Sequence, residues 1–252
     1  MAAVTLLKPE TQDKGQLAVL ARDVRKSFGR VAALRGIDLE VPWGQFLTIL
    51  GANGSGKTTL LRILATLARP TSGEIRVAGI DPLRNAPAVR RIIGVVTHQP
   101  LLYGDLTVGE NLAFYARMYD LKRPHEKIAQ CLAALGMERR LEVKARTLSH
   151  GMQKRVSIAR ALLHDPIILL MDEPESGLDS EAVEMLEHTL RSPSSDSLRT
   201  VVMTTHNLER GLAVGDQVAI LADGRIAYLE QCAGVTVAEV RSTYMALTGS
   251  TL

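Results

Sequence analysis

Residues 51–59 read GANGSGKTT and lie between an apolar run, Phe46–Leu50, and a leucine-rich stretch with helical spacing. A glycine-rich loop between a strand and a helix is the setting that phosphate binding requires, because glycines let the backbone wrap round the anion. Lys57 is placed to reach the β and γ phosphates of ATP, and the Thr58 hydroxyl is a candidate Mg²⁺ ligand. The predicted phosphate loop comprises Gly51, Ala52, Asn53, Gly54, Ser55, Gly56, Lys57, Thr58 and Thr59.

Five short runs along the chain are apolar at consecutive positions, a pattern typical of strands that are buried on both faces. Helical patterns lie between them; Val183, Leu186 and Leu190, for example, recur at spacings of three and four residues. Alternation of strands and helices predicts an α/β fold with a mixed, largely parallel sheet. The runs are Phe46–Leu50, Ile92–Val96, Ile167–Met171, Val201–Thr205 and Gln217–Leu221.

The segment 99–163 lacks such a run and instead contains helical patterns at 111–119, 128–135 and 152–163. We therefore expect a helical lobe over 99–163, inserted into an ATP-binding α/β core. The core is expected to comprise residues 16–98 and 164–235.

A closing helix is expected within residues 236–252. Thr236 followed by Glu239 forms a capping-box pattern ahead of apolar residues. The polar stretch Ser192–Ser195 predicts a surface loop. No internal repeat is visible, so the chain is expected to hold one such unit.

The composition of the 252 residues excludes several classes of protein. The net charge is only +3, and the basic residues are scattered, so nucleic-acid binding has no support. Cys131 and Cys232 fit neither a metal site nor a disulfide framework. Residues 1–15 lack the pattern of a secretory signal, and the most apolar run, Ile167–Met171, is far shorter than the roughly 20 residues that cross a bilayer. Any membrane role is therefore expected to come through a partner.

Two carboxylates, Asp172 and Glu173, follow the apolar run Ile167–Met171. They emerge where a buried strand leaves the sheet, which is the edge at which such sheets bind ligands. Asp172 is expected to hold Mg²⁺ through water, and Glu173 to polarise the water that attacks the γ phosphate. Alone, such a pair is more often a helix cap or a solvated turn, but the phosphate loop favours the catalytic interpretation.

The segment between these motifs resembles the signature motif of ABC ATPases. It reads Leu-Ser-His-Gly-Met over 148–152 and runs into a helical pattern at 156–163. Further matches follow in the order of that family over residues 17–230: Phe28 resembles the adenine-stacking aromatic, Gln99 the Q-loop glutamine, residues 176–179 the D-loop, and His206 the switch histidine. The resemblance implies a P-loop NTPase (RecA-like) core with an inserted helical ABC subdomain.

The resemblance also implies a role for each matching residue. Glu173 and His206 would be catalytic. Phe28 and Gln99 would join the phosphate loop in binding ATP, while Thr58, Gln99 and Asp172 would ligate Mg²⁺. The residues facing a second cassette would be Ser149, His150, Gly151, Met152 and Asp179.

Each of these matches has a simpler alternative when it is taken singly. Gln99 can be an ordinary loop residue, His206 a helix cap, Phe28 a core residue and Ser149 a plain N-cap. The sequence also departs from the common family form at three positions. His150 stands where Gly is frequent, Met152 where Gln is frequent, and Glu175 where the family has a smaller or apolar residue.

The family picture implies an ATPase that drives transmembrane transport. Two cassettes, here expected to be a homodimer, would sandwich each ATP between the phosphate loop of one chain and Ser149 and Gly151 of the other. Transmembrane permease subunits would dock on the lobe near 99–119, so that the chain lies at the cytoplasmic face of the cell membrane.

The resemblance extends to a class of cargo. Residues 97–103, 105–107 and 110–115 are similar to the ATP-binding subunit of the haem exporter of cytochrome c maturation, which favours export. The Leu-Ser-x-Gly-Met form also occurs in cassettes of drug and polysaccharide exporters. ABC ATPases that act on nucleic acid or ribosomes, and a noncatalytic clamp, remain less favoured alternatives.

Overall fold

The computed structural model describes residues 17–191 and 199–249. The polar loop predicted at Ser192–Ser195 lies outside these residues. No helix in the described ranges combines the length and apolarity needed to cross a membrane.

Nine strands and eight α-helices, with three short 3₁₀ helices, make up the regular structure of the described ranges. The strands are β1 Leu17–Phe28, β2 Val31–Pro42, β3 Phe46–Leu50, β4 Ser72–Val77, β5 Ile93–Val96, β6 Ile168–Asp172, β7 Thr200–Thr204, β8 Gln217–Ala222 and β9 Arg225–Gln231. The helices are α1 Lys57–Leu64, α2 Ala86–Ile92, α3 Val108–Met118, α4 Pro124–Ala133, α5 His150–Leu162, α6 Ser180–Arg191, α7 Leu208–Val214 and α8 Val237–Thr248.

The main sheet has six strands in the order β5-β6-β7-β3-β8-β9. Every neighbouring pair is parallel except β8 and β9. Strands β3, β6 and β7 are buried at all five positions, which explains their consecutive apolar residues. All five predicted runs are strands, so the prediction of a mixed, largely parallel α/β sheet is confirmed. The carboxyl ends of β3, β6 and β7 meet at one edge.

A second sheet, of three antiparallel strands in the order β2-β1-β4, was not predicted. Strands β1 and β2 are only partly buried. Irregularities in their pairing interrupt the two-residue alternation of buried and exposed side chains. Asp23, for instance, has a φ of 46° at one of these shifts. A broken alternation of this kind gives little signal in a single sequence.

Helices cover both faces of the main sheet. On one face α1 packs Leu60 and Ile63 into a cluster with Leu47 and Ile49 of β3. On the other face, Leu112 of α3 and Leu132 of α4 share a cluster with residues of β6 and β7. The helices predicted between 99 and 163 are thus α3, α4 and α5, and their core is continuous with the sheet. The exact division into core and lobe stays a prediction.

The closing helix α8 begins as predicted. Thr236 Oγ1 accepts a hydrogen bond from Glu239 N at 3.3 Å, and Glu239 Oε2 accepts one from Thr236 N at 2.7 Å. Val240 and Tyr244 pack against Val218 of β8. The capping box therefore begins a short helix that packs on β8, next to the edge strand β9 of the main sheet.

His164, just after α5, is a partly buried histidine outside the predicted site. Its ring stacks on Tyr119 with centroids 3.8 Å apart, and its Nε2 lies 3.0 Å from Ile93 O. Burial lowers the pKa of His164 from 6.5 to about 4. The folded chain therefore holds this imidazole neutral at pH values where the unfolded chain protonates it.

We predict that His164 makes the protein less stable as the pH falls from about 6.5 to about 4, by up to about 3 kcal/mol. In this range the unfolded state binds the additional proton, so acid favours unfolding. Urea unfolding across this range should show a smaller loss for His164→Gln than for the wild type. The exposed His125→Gln is the control and should follow the wild type. Parallel curves for all three proteins would contradict the prediction.

Candidate functional site

The phosphate loop connects β3 to α1, and close contacts require glycine at two of its positions, Gly51 and Gly56. A Cβ added at Gly51 would lie 2.4 Å from Leu221 O. Gly56 has a φ of 112°, and a Cβ there would lie 2.7 Å from Ala33 O, whereas the space around Gly54 is open. The Ser55 hydroxyl is buried and has no hydrogen-bond partner among the described residues. The loop thus offers uncrowded backbone at Gly54 and an unused hydroxyl at Ser55, which fits a phosphate group.

Lys57 brings a buried cation to this loop. Its Nζ donates to Gly51 O at 2.6 Å and to Ala52 O at 3.1 Å. Burial lowers the pKa of Lys57, while the nearby carboxylates of Glu173 and Asp172 act in the opposite direction. An ammonium held in this position can bind phosphate oxygens at little additional cost in side-chain entropy.

Asp172, the last residue of β6, is buried and accepts two hydrogen bonds from hydroxyl groups. Thr58 Oγ1 donates to its Oδ2 at 2.9 Å, and Thr204 Oγ1 donates to its Oδ1 at 2.7 Å. The Thr58 hydroxyl and the Asp172 carboxylate are hard oxygen donors, and Mg²⁺ in nucleotide sites needs only one or two of these from the protein. This pair of residues therefore fits Mg²⁺.

Glu173 follows Asp172 with an unusual backbone conformation. Its φ of 46° lies in the left-handed region, and its N–H donates to both O and Oγ1 of Thr204, each at 3.1 Å. The Glu173 Oε2 atom lies 3.6 Å from Nδ1 of His206. The structure thus brings together Glu173 and His206, the two predicted catalytic residues. They lie next to Asp172, which is hydrogen-bonded to Thr58 of the phosphate loop.

Gln99 and Phe28 occupy exposed positions at strand ends. Thr97 Oγ1 donates to Gln99 O at 2.6 Å after β5. The Phe28 ring at the end of β1 is 56% exposed, with Lys26 Nζ 4.9 Å from its centroid, so the alternative of a core residue is wrong. In the described ranges neither side chain makes a hydrogen bond or a ring contact with the phosphate loop.

The predicted signature residues lie at the N-terminus of α5. Ser149 is the N-cap, and its Oγ accepts from Met152 N at 3.3 Å. A Cβ added at Gly151 would lie 2.5 Å from Gly177 O, so this helix start is in close contact with the predicted D-loop.

The contact continues along the D-loop. A Cβ added at Gly177 would lie 2.6 Å from Nδ1 of His150, and Asp179 Oδ2 lies 3.5 Å from the Arg155 guanidinium. The other oxygen of Asp179 caps α6 by accepting from Ala182 N at 2.8 Å. The signature motif and the D-loop of one chain therefore share one surface.

Comparison with known proteins agrees with this geometry. The family model described as "ABC transporter" matches residues 34–176, which is more than half of the chain. The chain belongs to the ABC transporter family. It is an ATP-binding, ATP-hydrolysing cassette of that family, which confirms the prediction of an ATPase.

Curated relatives include both exporters and importers. The chain is 37% identical over 206 residues to "Nod factor export ATP-binding protein I" of Cupriavidus metallidurans, covering 81% of this chain and 68% of the relative. It is 35% identical over 218 residues to "Spermidine/putrescine import ATP-binding protein PotA" of Trichodesmium erythraeum, covering 86% of this chain and 57% of the relative. The chain thus spans little more than half the length of the importer relative.

Solved structures of cassettes have the same fold. The "ATP-binding cassette MJ0796 bound to ADP and Pi", described as dimeric, aligns with a TM-score of 0.79 at 31% identity, covering 85% of this chain and 98% of that chain. A "bacterial Atm1-family ABC exporter with ATP bound" aligns with a TM-score of 0.78 at 26% identity, covering 89% of this chain and 41% of that chain.

Sequence reasoning missed three residues that contact the predicted nucleotide site or the residues next to it. Thr204 contacts both Asp172 and Glu173, as described above. Lys154 of α5 is buried, with its Nζ 3.4 Å from Asp172 O and 3.5 Å from Thr97 O, and burial lowers its pKa. The Thr205 hydroxyl donates to the carboxylate of Glu175. The available signal was a pair of consecutive threonines, Thr204 and Thr205, directly after the apolar residues of β7.

We predict that Gly56→Ala lowers both stability and ATP affinity more than Gly54→Ala does. Both glycines have a positive φ, so each substitution introduces backbone strain of about 1 kcal/mol or more. Only at Gly56 does the new methyl group also collide with Ala33 O. Urea unfolding and titration with a fluorescent ATP analogue check the order. Equal losses for the two variants would show that the close contact at Gly56 is unimportant.

Proposed function

We propose that this cassette hydrolyses ATP with Glu173 as the base that activates water and His206 as its orienting partner. The observation that carries this proposal is the 3.6 Å approach of Glu173 Oε2 to His206 Nδ1, next to the carboxylate of Asp172. A carboxylate can accept the proton of water as the water attacks the γ phosphate. The imidazole is placed to hold the γ phosphate or the water by a hydrogen bond.

The remaining residues of the site bind and orient ATP. Lys57 and the N–H groups of the phosphate loop bind the phosphates, and Phe28 offers an exposed ring for the adenine. Thr58 and Asp172 would hold Mg²⁺, with Gln99 as a further ligand. When bound, Mg²⁺ would supply neutralisation of phosphate charge.

A second copy of the cassette completes each site. Ser149 and His150 are exposed at the start of α5, where the helix N-terminus favours an anion. In a head-to-tail homodimer, Ser149 and Gly151 of one chain would contact the γ phosphate on the other, with His150, Met152 and Asp179 lining the same surface. The dimeric description of MJ0796 supports this arrangement.

A transmembrane permease is the proposed membrane partner, with the cassette peripheral at the cytoplasmic face. Leu101 and Tyr103, between β5 and α3, are 42% and 53% exposed, and Met118 at the end of α3 is 67% exposed. Tyr103 is supported by an edge-to-face contact with Phe114, with centroids 5.3 Å apart. Exposed apolar side chains of this kind fit the docking of a permease helix.

Export is the proposed direction, with haem for cytochrome c biogenesis as the proposed cargo. Export is supported by the Nod factor relative and by the Atm1-family structure, and haem by the likeness of residues 97–115 alone. A drug or polysaccharide exporter is the alternative. A strain lacking the cassette should lose haem-bound c-type cytochromes. Normal cytochromes with altered drug resistance or surface polysaccharide would support the alternative, and lost polyamine uptake would support import.

We predict that Glu173→Gln abolishes phosphate release while ATP binding persists, so that Mg-ATP traps a dimer. The amide cannot take the proton of water, and the contacts made by the γ phosphate therefore last. Light scattering coupled to size exclusion, with and without Mg-ATP, measures the mass.

The control is Glu181→Gln, which makes the same charge change at an exposed position in the first turn of α6. It should release phosphate at the wild-type rate. Wild-type turnover in Glu173→Gln would rule out Glu173 as the base. An inactive Glu173→Gln that binds ATP and stays monomeric would overturn the homodimer.

We also predict that Tyr103→Asp prevents copurification of the permease from solubilised membranes. The charge disrupts an apolar docking surface without touching the phosphate loop, so ATP binding should remain. The control Leu229→Asp introduces the same charge at an exposed apolar residue on β9 and should retain the permease. Retention of the permease by both variants would contradict docking of the permease on the lobe.

A further inference from the structure

Thr204 lies at the centre of the nucleotide site without being part of any motif in the sequence. It is the last residue of β7 and is paired in register with Asp172 of β6. Its side chain is completely buried. A buried hydroxyl is stable only if it is hydrogen-bonded, so its partners show what it orients.

The Thr204 hydroxyl makes two hydrogen bonds in opposite directions. It donates its single proton to Asp172 Oδ1 at 2.7 Å, and it accepts the backbone N–H of Glu173 at 3.1 Å. These two bonds use the one donor of the hydroxyl and one of its lone pairs, so they fix its rotation. One hydroxyl therefore connects two consecutive residues of the site.

The bond to Asp172 determines which carboxylate oxygen faces the phosphate loop. With Oδ1 engaged by Thr204, Oδ2 is the oxygen that accepts from Thr58 Oγ1 at 2.9 Å. Without the Thr204 hydroxyl, Oδ1 would be buried with one partner fewer, and the carboxylate could rotate away from Thr58.

The bond to Glu173 supports a backbone conformation that is otherwise unfavourable. A glutamate at a φ of 46° is in the left-handed region, which residues other than glycine rarely adopt. The Glu173 N–H is held there by O and Oγ1 of Thr204 together. This turn is what aims the Glu173 carboxylate towards His206 instead of continuing the strand.

We propose that Thr204 is a positioning residue for ATP hydrolysis, whose hydroxyl sets the orientation of both Asp172 and Glu173. The proposal rests on the roles assigned above to these two carboxylates. Thr204 itself does not contact the reacting atoms. Its contribution is expected in turnover and in Mg²⁺ dependence, and not in ATP binding.

The experiment compares Thr204→Val with Thr204→Ser and with Thr200→Val. Valine has the shape of threonine without the hydroxyl, and serine restores the hydroxyl. Thr200 is an equally buried threonine at the other end of β7, and its Oγ1 accepts from Gly44 N at 2.9 Å. It therefore reports the structural cost of losing a buried hydroxyl from the same strand.

We expect Thr204→Val to lower kcat for phosphate release by about tenfold and to raise the half-saturating Mg²⁺ concentration, with the KM for ATP changed little. Thr204→Ser should restore most of kcat, and Thr200→Val should lose stability but keep kcat. If Thr204→Val unfolds under assay conditions, Thr204→Ala and Thr200→Ala replace the valine pair.

Equal kcat values for the Thr204 and Thr200 variants would overturn the proposal. So would a Thr204→Ser variant as slow as Thr204→Val. Glu173→Gln is assayed in parallel to separate this inference from the proposed function. If Glu173→Gln is inactive while Thr204→Val turns over normally, only the positioning role of Thr204 fails. If Glu173→Gln itself turns over normally, the assignment of Glu173 as the base fails.

Discussion

The buried carboxylate of Asp172 is the constraint on which the nucleotide site depends. A charge with 6% exposure is tolerated only if it is hydrogen-bonded, and its two oxygens take their donors from two different elements. Thr58 comes from α1, and Thr204 comes from β7. The carboxylate thereby joins the phosphate loop to two strands of the sheet.

Sheet order makes this junction possible. Strand β7 lies between β6 and β3, so the phosphate loop after β3 and the carboxylates at the end of β6 are separated by one strand. Because all three strands are parallel, their carboxyl ends lie at the same edge. The burial of these strands on both faces is therefore part of how the site is assembled. It requires helices on both sides, including those that carry the signature residues.

The strands and the phosphate loop could be predicted from the sequence, whereas contacts that depend on strand order and register could not. Consecutive apolar residues identify β3, β6 and β7, and the glycines with Lys57 and Thr58 identify the phosphate loop. Thr204 is 32 residues from its partner Asp172, and the contact depends on strand order and register, which a single sequence does not contain. The antiparallel sheet was missed because bulges interrupt the alternation in β1 and β2. Lys154, inside a helix, gave no sign that it reaches Asp172 O.

The central claim is that two copies of this cassette share each catalytic site, and complementation tests it most directly. Lys57→Ala removes the phosphate-loop cation, and Gly151→Asp disrupts the signature surface, so each variant alone should release no phosphate. Mixing equal amounts should restore about a quarter of the wild-type rate, because half of the dimers then hold one intact site of two. A mixture as inactive as its components, or full activity of Gly151→Asp alone, would contradict the shared site.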